Sequence, residues 1–481
     1  MQIPYFIDFH CHPALKPYGK SFRSDSPGSN SLNSSEQNSL WFYDPPKFID
    51  RLIQLICGIS KFRQSDCRTL NNGNCRLVFA SIYPIERGFF RSKLGTRIIS
   101  DLGNNFVTSV GQSRVNYIQN VTDYFEDLNR EYKYYLQLHG KEIQAEGKTY
   151  QYRMIRFFDE IDQLQENSTQ PENLVFLALS IEGLHALNKN IDAPPVEKEF
   201  LDNLNQVKRW EYTPLFVTVA HHFYNHLCGH AKSLFDIVGS VTDQSEGINS
   251  GFTELGRKVI CELLSNVNGK RIYVDIKHMS SKGRKEYMEM LRSPEYRDEK
   301  IPIIVSHGAA NGMRSMDEPV IDIAETGDKF LKKDINFYDN EIIEVAKSGG
   351  IFGLQLDERR LAKKGYKVKH SAFLHKIQHY RAELVWNHIQ HIAELLDKNK
   401  LPAWDIITLG TDHDGIINPL NGYLTSENLK DLLQYLERYA YNYMADRGIQ
   451  ILSPANRLAA SDIVQKVFSE NGMRFLKQLY V

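Results

Sequence analysis

Eight short runs rich in Val, Ile, Phe and Tyr punctuate this chain, and helix-period segments separate most of them. They span residues 3–12, 75–84, 174–182, 214–221, 270–278, 301–307, 350–356 and 406–412. A strand that is apolar on both faces needs cover on both, which a parallel sheet flanked by helices provides. Eight strand–helix units in series therefore predict an α/β fold of the (β/α)8 barrel type. The helical pattern is clearest at 253–266, where Leu255, Val259, Leu263 and Leu264 form one face and Thr253 stands at the N-cap position. Residues 340–348 and 381–398 follow the same rule.

Three stretches fall outside this rhythm. Residues 15–45 are rich in Ser, Asn, Gly and Pro and predict a long, mobile loop after the first strand. Residues 88–165 exceed one strand–helix unit and predict a mostly helical insertion that includes a helix at 115–138. Residues 420–481 predict helices that close the barrel. The whole chain, 1–481, then reads as one enlarged barrel domain.

Charge excludes several partners. The 58 Lys and Arg against 59 Asp and Glu leave a net charge of −1, which offers no basic surface for nucleic acid or an anionic membrane. No run of about 20 apolar residues is present to span a bilayer. The stretch MQIPYFIDFHCHP lacks the basic start and apolar core of a signal peptide. The six Cys, at 11, 57, 67, 75, 228 and 261, form no CxxC pair and no dense framework, so reduced thiols in a cytoplasmic protein are expected. HExxH, GxSxG and GxxxxGK[ST] are all missing from the sequence, which removes support for the common zincin, serine-hydrolase and P-loop chemistries.

The 16 His matter through their positions. The first run ends His10-Cys11-His12, the third at Glu182, the fourth at His221-His222, the fifth at His278, the sixth at His307 and the eighth at Asp412-His413-Asp414. In a parallel barrel those C-terminal ends meet at one mouth. Residues i and i+2 of a strand point the same way, so His10 and His12 face inward together while Cys11 faces out. Neutral imidazoles and carboxylates suit Zn²⁺. The set fits two ions: His10 and His12 for one, His278 and His307 for the other, Glu182 across both. Such a pair activates water for hydrolysis. His375, His379, His388 and His391 lie in a segment that reads as a solvated helix and are expected at the surface.

These motifs resemble the membrane (renal) dipeptidase family of the amidohydrolase-like metal-dependent hydrolases. The matching phrases are DFHCH at 8–12, SIEGLHAL at 180–187, FVTVAHHFYN at 216–225, GFTELGRKVICELL at 251–264, VDIKHMS at 274–280, PIIVSHGAANG at 302–312, SGGIFGLQL at 348–356 and LGTDHDG at 409–415. The resemblance implies two zinc ions, with His10 and His12 on the more buried one, His278 and His307 on the other, and Glu182 bridging. It implies that Asp412 handles the proton of the attacking water and that His221 stabilises the oxyanion. Arg314 is the candidate for the substrate carboxylate, and His413, which replaces an aromatic, for a further substrate contact. One departure is clear: the dipeptidases usually carry HxD where this chain has His10-Cys11-His12, which leaves the site one unit more positive. The expected substrate is a dipeptide or related small amide, with neither nucleic acid nor membrane as partner, and a homodimer is compatible with this reading. Two alternatives stand beside it. One is an amidohydrolase acting on another amide, a lactone or a phosphoester; the other is a metal-stabilised, non-catalytic binding protein.

Overall fold

Uniform burial along β1 (Phe6–Cys11) and β5 (Leu174–Glu182) shows why these segments are strands: neither face of them meets solvent. The structure is a computed structural model that describes residues 5–23, 25–57, 60–90, 109–234, 242–318, 329–362, 371 and 373–480. The part of the predicted insertion at 91–108 lies outside the described residues. Besides β1 and β5, the described strands are β2 (Cys75–Ile82), β3 (Ile143–Ala145), β4 (Lys148–Met154), β6 (Phe216–Thr218), β7 (Tyr273–Asp275), β8 (Ile304–Gly308), β9 (Ile351–Leu354) and β10 (Ile407–Leu409).

All eight predicted runs form strands. They pair in parallel in the order β1-β2-β5-β6-β7-β8-β9-β10. The chain just after β10 returns to β1: Asp412 N donates to His10 O at 2.8 Å and His12 N donates to His413 O at 2.9 Å. The sheet is thus nearly closed into an eight-stranded barrel. Its interior is filled by Ile7, Phe9, Leu77, Phe79, Phe176, Phe216, Ile304 and Ile351, and Phe475 and Leu476 of the C-terminal helix Asn471–Leu479 join that cluster. The ring of Phe9 lies 4.2 Å from that of Phe79 and 5.5 Å from that of Phe216. Outside the barrel, helices such as Glu254–Leu264, capped as expected by Thr253 on Gly256 N, bury Val259, Leu263 and Leu264.

The insertion departs from the helical expectation. Residues 115–138 are two helices, Gln112–Asn120 and Tyr124–Leu138, separated at Val121. A hairpin follows: β3 and β4 are joined by Glu146 and Gly147, both at positive φ (50° and 74°). That pair of dihedrals suits the twist of a two-residue hairpin. Tyr150, Tyr152 and Met154 alternate inward, and β4 lies parallel to the first half of β5, on the side that β6 takes along the second half.

Residues 15–45 are not a loose loop either. Leu15–Ser21 is a helix, and Leu40 and Trp41 are fully buried. Arg63 Nη1 donates to the carbonyls of Ser39 and Phe42, which ties the segment down from the far side. His388 and His391, expected at the surface, are buried as well. His388 Nδ1 accepts from Ala310 N at 3.2 Å while Nε2 donates to Leu361 O at 2.9 Å, and His391 Nε2 meets Asp339 Oδ1 at 2.7 Å. These imidazoles fasten the loops after β8 and β9 to the helix Leu374–Lys398. His375 is exposed, and His379 stacks on Tyr439. No described helix is long and apolar enough to cross a membrane.

Candidate metal centre

The site begins with a bulge. The register of β1 against β2 slips between Asp8 and Cys11, where three steps on β1 match two on β2. An extra residue re-aims side chains, as bulges beside functional sites do. Phe9 can therefore fill the barrel interior while its neighbour His10 also reaches the centre, stacked on His307 with ring centroids 4.1 Å apart. His12 follows immediately after the strand. Cys11 is buried in the outer cluster, packed with the barrel's surrounding helices.

Five imidazoles converge on one carboxylate. Glu182 Oε1 lies 3.5 Å from Nε2 of His10, His221 and His278 and 3.6 Å from Nε2 of His307, while Oε2 lies 3.0 Å from Nε2 of His12. Asp412 Oδ1 is 3.9 Å from His10 and 3.6 Å from His12, and its Oδ2 is 3.9 Å from His307. Among the described residues four groups of three have the geometry to hold an ion: His10, His12 and Glu182; Glu182, His278 and His307; His10, His307 and Asp412; and His221, His222 and His278; the first two share Glu182. The donor chemistry fits a cation. Both ring nitrogens of His10 and of His12, and Glu182 Oε1, are buried without hydrogen-bond partners. The Nε2 atoms of His278 and His307 face each other at 3.3 Å.

Backbone strain marks the same place. His278 sits at φ +65° and Asp412 at +60°, in the left-handed region that non-glycine residues rarely adopt. Such positions cost about 1–3 kcal/mol and cluster at functional sites. Gly415 is required here, since a Cβ on it would stand 2.0 Å from Asp412 Oδ1.

Three buried carboxylates that the sequence reading did not single out hold the constellation. Asp8 Oδ1 accepts from His10 N and Thr411 N, and Oδ2 from Thr411 Oγ1. Asp275 accepts from Lys277 N, Ser306 N, Ser306 Oγ and Thr218 Oγ1. Each pins a ligand-bearing strand end to its neighbour. Glu86, in the loop after β2, accepts from His221 Nδ1 at 2.7 Å, Tyr83 Oη at 2.7 Å, and the amides of His222 and Phe223. The charged residue after YPI was its only signal in the sequence.

Electrostatics follow from this packing. Burial alone would raise the Glu86 carboxyl, but the charge of His221, then that of His185 and the bonds from His221 and Tyr83, pull it down to about 2. Burial likewise opposes protonation of His221, yet Glu86 and Glu182 raise it above the ordinary histidine value. A carboxyl depressed from 4.5 stabilises the fold above that pH, and the contribution disappears as pH falls toward 2. The melting-temperature gap between the wild type and Glu86→Gln should therefore shrink from pH 5 to pH 2. A gap that stays constant would show that Glu86 is not ionised in the fold.

A family model for membrane dipeptidases, peptidase family M19, matches residues 63–471. The chain belongs to the peptidase M19 family. No curated protein matches it. Among solved structures, it resembles a dipeptidase AC, a metallo peptidase of family M19, at 14% identity over 100% of this chain and 99% of that one, with a TM-score of 0.51. A metallo peptidase from Rhodobacter sphaeroides, liganded with a phosphinate mimic of the dipeptide L-Ala-D-Ala, shares 14% identity over 100% of both chains, with a TM-score of 0.49. The first of these likenesses supports the barrel fold; the family match makes this chain a metal-dependent hydrolase.

Within this M19 chain the barrel mouth is a narrow cleft. Glu182, His221, His222, His278, His307 and Asp412 line it; His10 and His12 lie beneath, fully buried. Phe89, Leu234, Ile416 and Ile417 supply an apolar side, and Lys277, Arg359 and Arg360 a basic one. The two remaining predicted contacts are not brought here. Arg314 is exposed, pairs with Glu318 at 3.2 Å and does not line the cleft. His413 is fully buried, with Nδ1 on Ser426 Oγ at 3.1 Å, because its backbone bridges to Cys11 and turns the ring away from the cleft. Asp414 serves structure too, pairing with Lys16 at 2.9 Å and accepting from the amides of Gln64 and Ser65.

Proposed function

We propose that this chain is a dinuclear zinc hydrolase that cleaves a dipeptide or a similarly small amide. The observation that carries the proposal is Glu182, which stands between both imidazole pairs: its Oε2 faces His12 at 3.0 Å, and its Oε1 faces His10, His278 and His307 at 3.5, 3.5 and 3.6 Å. His10 and His12 would hold one ion, His278 and His307 the second, and Glu182 both. Bound zinc supplies Lewis acidity and lowers the pKa of water toward neutrality.

The protein's own groups do the rest. Asp412, the member of the cluster whose side chain is most open to the mouth (14% exposed), takes the proton of the attacking water and returns it to the departing amine. The sum is one amide and one water giving one carboxylic acid and one amine. His221, held by Glu86, presents Nε2 to the carbonyl oxygen as charge builds there, a contribution worth roughly 3–4 kcal/mol. The basic side of the cleft, where Arg359 and Arg360 share Asp357, suits the carboxylate of a dipeptide, the role first expected of Arg314. Glu86→Gln should lower kcat about 10–100-fold with zinc content unchanged, since it disturbs His221 and none of the ligands.

A second reading rests on His12 itself. HxH in place of HxD makes the centre one unit more positive, which favours a more anionic substrate such as a phosphoester. A panel of dipeptides with L- and D-configured C-terminal residues, run beside lactones and phosphoesters on zinc-loaded protein, separates the two. The proposal expects dipeptide turnover; turnover confined to phosphoesters would overturn it.

A further inference from the structure

Two Ser–His pairs at the mouth carry opposite polarity. Ser306 commits its proton to Asp275, with Oγ 2.6 Å from Oδ2. Its oxygen then accepts from His307 Nδ1–H at 2.9 Å, so His307 Nε2 keeps a lone pair, as a metal ligand must.

His222 meets Ser233 in the same way, Nδ1 to Oγ at 2.6 Å, but the group behind that serine is a donor. Gln244 is oriented by two backbone groups: its Oε1 accepts from Leu234 N at 2.8 Å, and its Nε2 donates to His222 O at 2.6 Å. Nε2 then gives its second proton to Ser233 Oγ at 2.8 Å. The hydrogen bonds among the described residues leave the Ser233 proton one destination, His222 Nδ1. Nδ1 therefore accepts, and the imidazole proton of His222 sits on Nε2. Ser233 is 1% exposed, and Gln244 and His222 are each 8% exposed.

A ring nitrogen of His222 lies within 4.8 Å of ring nitrogens of His221 and His278, and His222 lines the cleft. By residue type alone, these three could be taken for a third metal site. A nitrogen that bears a proton has no lone pair for an ion. We propose that His222 Nε2–H is a second donor to the scissile carbonyl oxygen beside His221, and that it is not a metal ligand. The inference rests on the hydrolase reading above. Both imidazoles are braced from behind, His221 by Glu86 and His222 by Ser233, and the His222 amide is itself bonded to Glu86 Oε1 at 3.0 Å. Donors held in place before charge develops are the effective ones.

The test uses the zinc-loaded full chain and the variants His222→Leu and His222→Gln. His222→Leu should lower kcat on a dipeptide about 10²-fold, with KM little changed and zinc per chain equal to the wild type. His222→Gln, which restores an N–H donor, should recover at least about tenfold of that loss. In parallel, the ¹⁵N spectrum of ring-labelled wild-type protein should show His222 protonated at Nε2 and bare at Nδ1. Loss of zinc in His222→Leu, an unchanged kcat, or an Nδ1–H tautomer would each overturn the inference. A wild type that turns over no dipeptide would defeat the hydrolase reading instead, while the tautomer and zinc measurements still decide the polarity assigned to His222.

Discussion

Glu182→Gln is expected to reduce bound metal from two ions per chain to one or none and to lower amide hydrolysis by at least about 10³-fold. The substitution keeps shape and removes charge. Five histidine Nε2 atoms lie within 3.6 Å of this one side chain, and Oε1 is buried with no hydrogen-bond partner of its own. Burial alone would raise its carboxyl, but the charges of the His221 and His10 imidazoles hold it well below the usual range. A neutral amide cannot balance two cations from that position, and its NH₂ would confront ring nitrogens that are meant to face an ion. Metal analysis of the purified variant beside its activity reads both effects. Two retained ions would show that Glu182 does not bridge.

Asp412→Asn is expected to lower kcat about 10³-fold while KM and folding stay near wild type. Asparagine tolerates the positive φ of this position, so the backbone strain at +60° is kept while the proton acceptor is lost. Alanine would be a poorer choice, because it adds strain to the loss of chemistry. Steady-state kinetics on a cleaved dipeptide check the result. A variant with wild-type kcat would remove Asp412 from the proton path.

Much of the architecture was legible because it rests on local pattern. All eight barrel strands carry continuous apolar runs, and strand ends carrying His10, Glu182, His221, His278, His307 and Asp412 need only the barrel rule to be brought together. What escaped depends on pairing between distant segments. Asp8 and Asp275 work through amides of the neighbouring strand, and Glu86 reaches 135 residues along the chain to His221. The bulge at Asp8–Cys11 breaks the two-residue period from which strand faces are inferred.

Other differences had weaker signals. The hairpin at 143–154 did show alternating Tyr150, Tyr152 and Met154 after a Glu-Gly turn, but within a charged, Gln-rich stretch that favoured a helix. His388 and His391 looked like a solvated face because each is polar; their buried partners, Leu361 O and Asp339, come from other elements. Arg314 stands outside the cleft for the same reason in reverse. Its distance along the chain from His307 says little about the cleft, whose basic side comes from Lys277 after β7 and from Arg359 and Arg360 after β9.

The most direct test of a two-metal hydrolase is the metal content of wild-type chain purified without chelators. The account predicts two zinc ions per chain, both removed by chelation together with dipeptide hydrolysis and both restored with it. A chain that hydrolyses dipeptides with no bound metal, or that binds a single ion however much zinc is supplied, would contradict it.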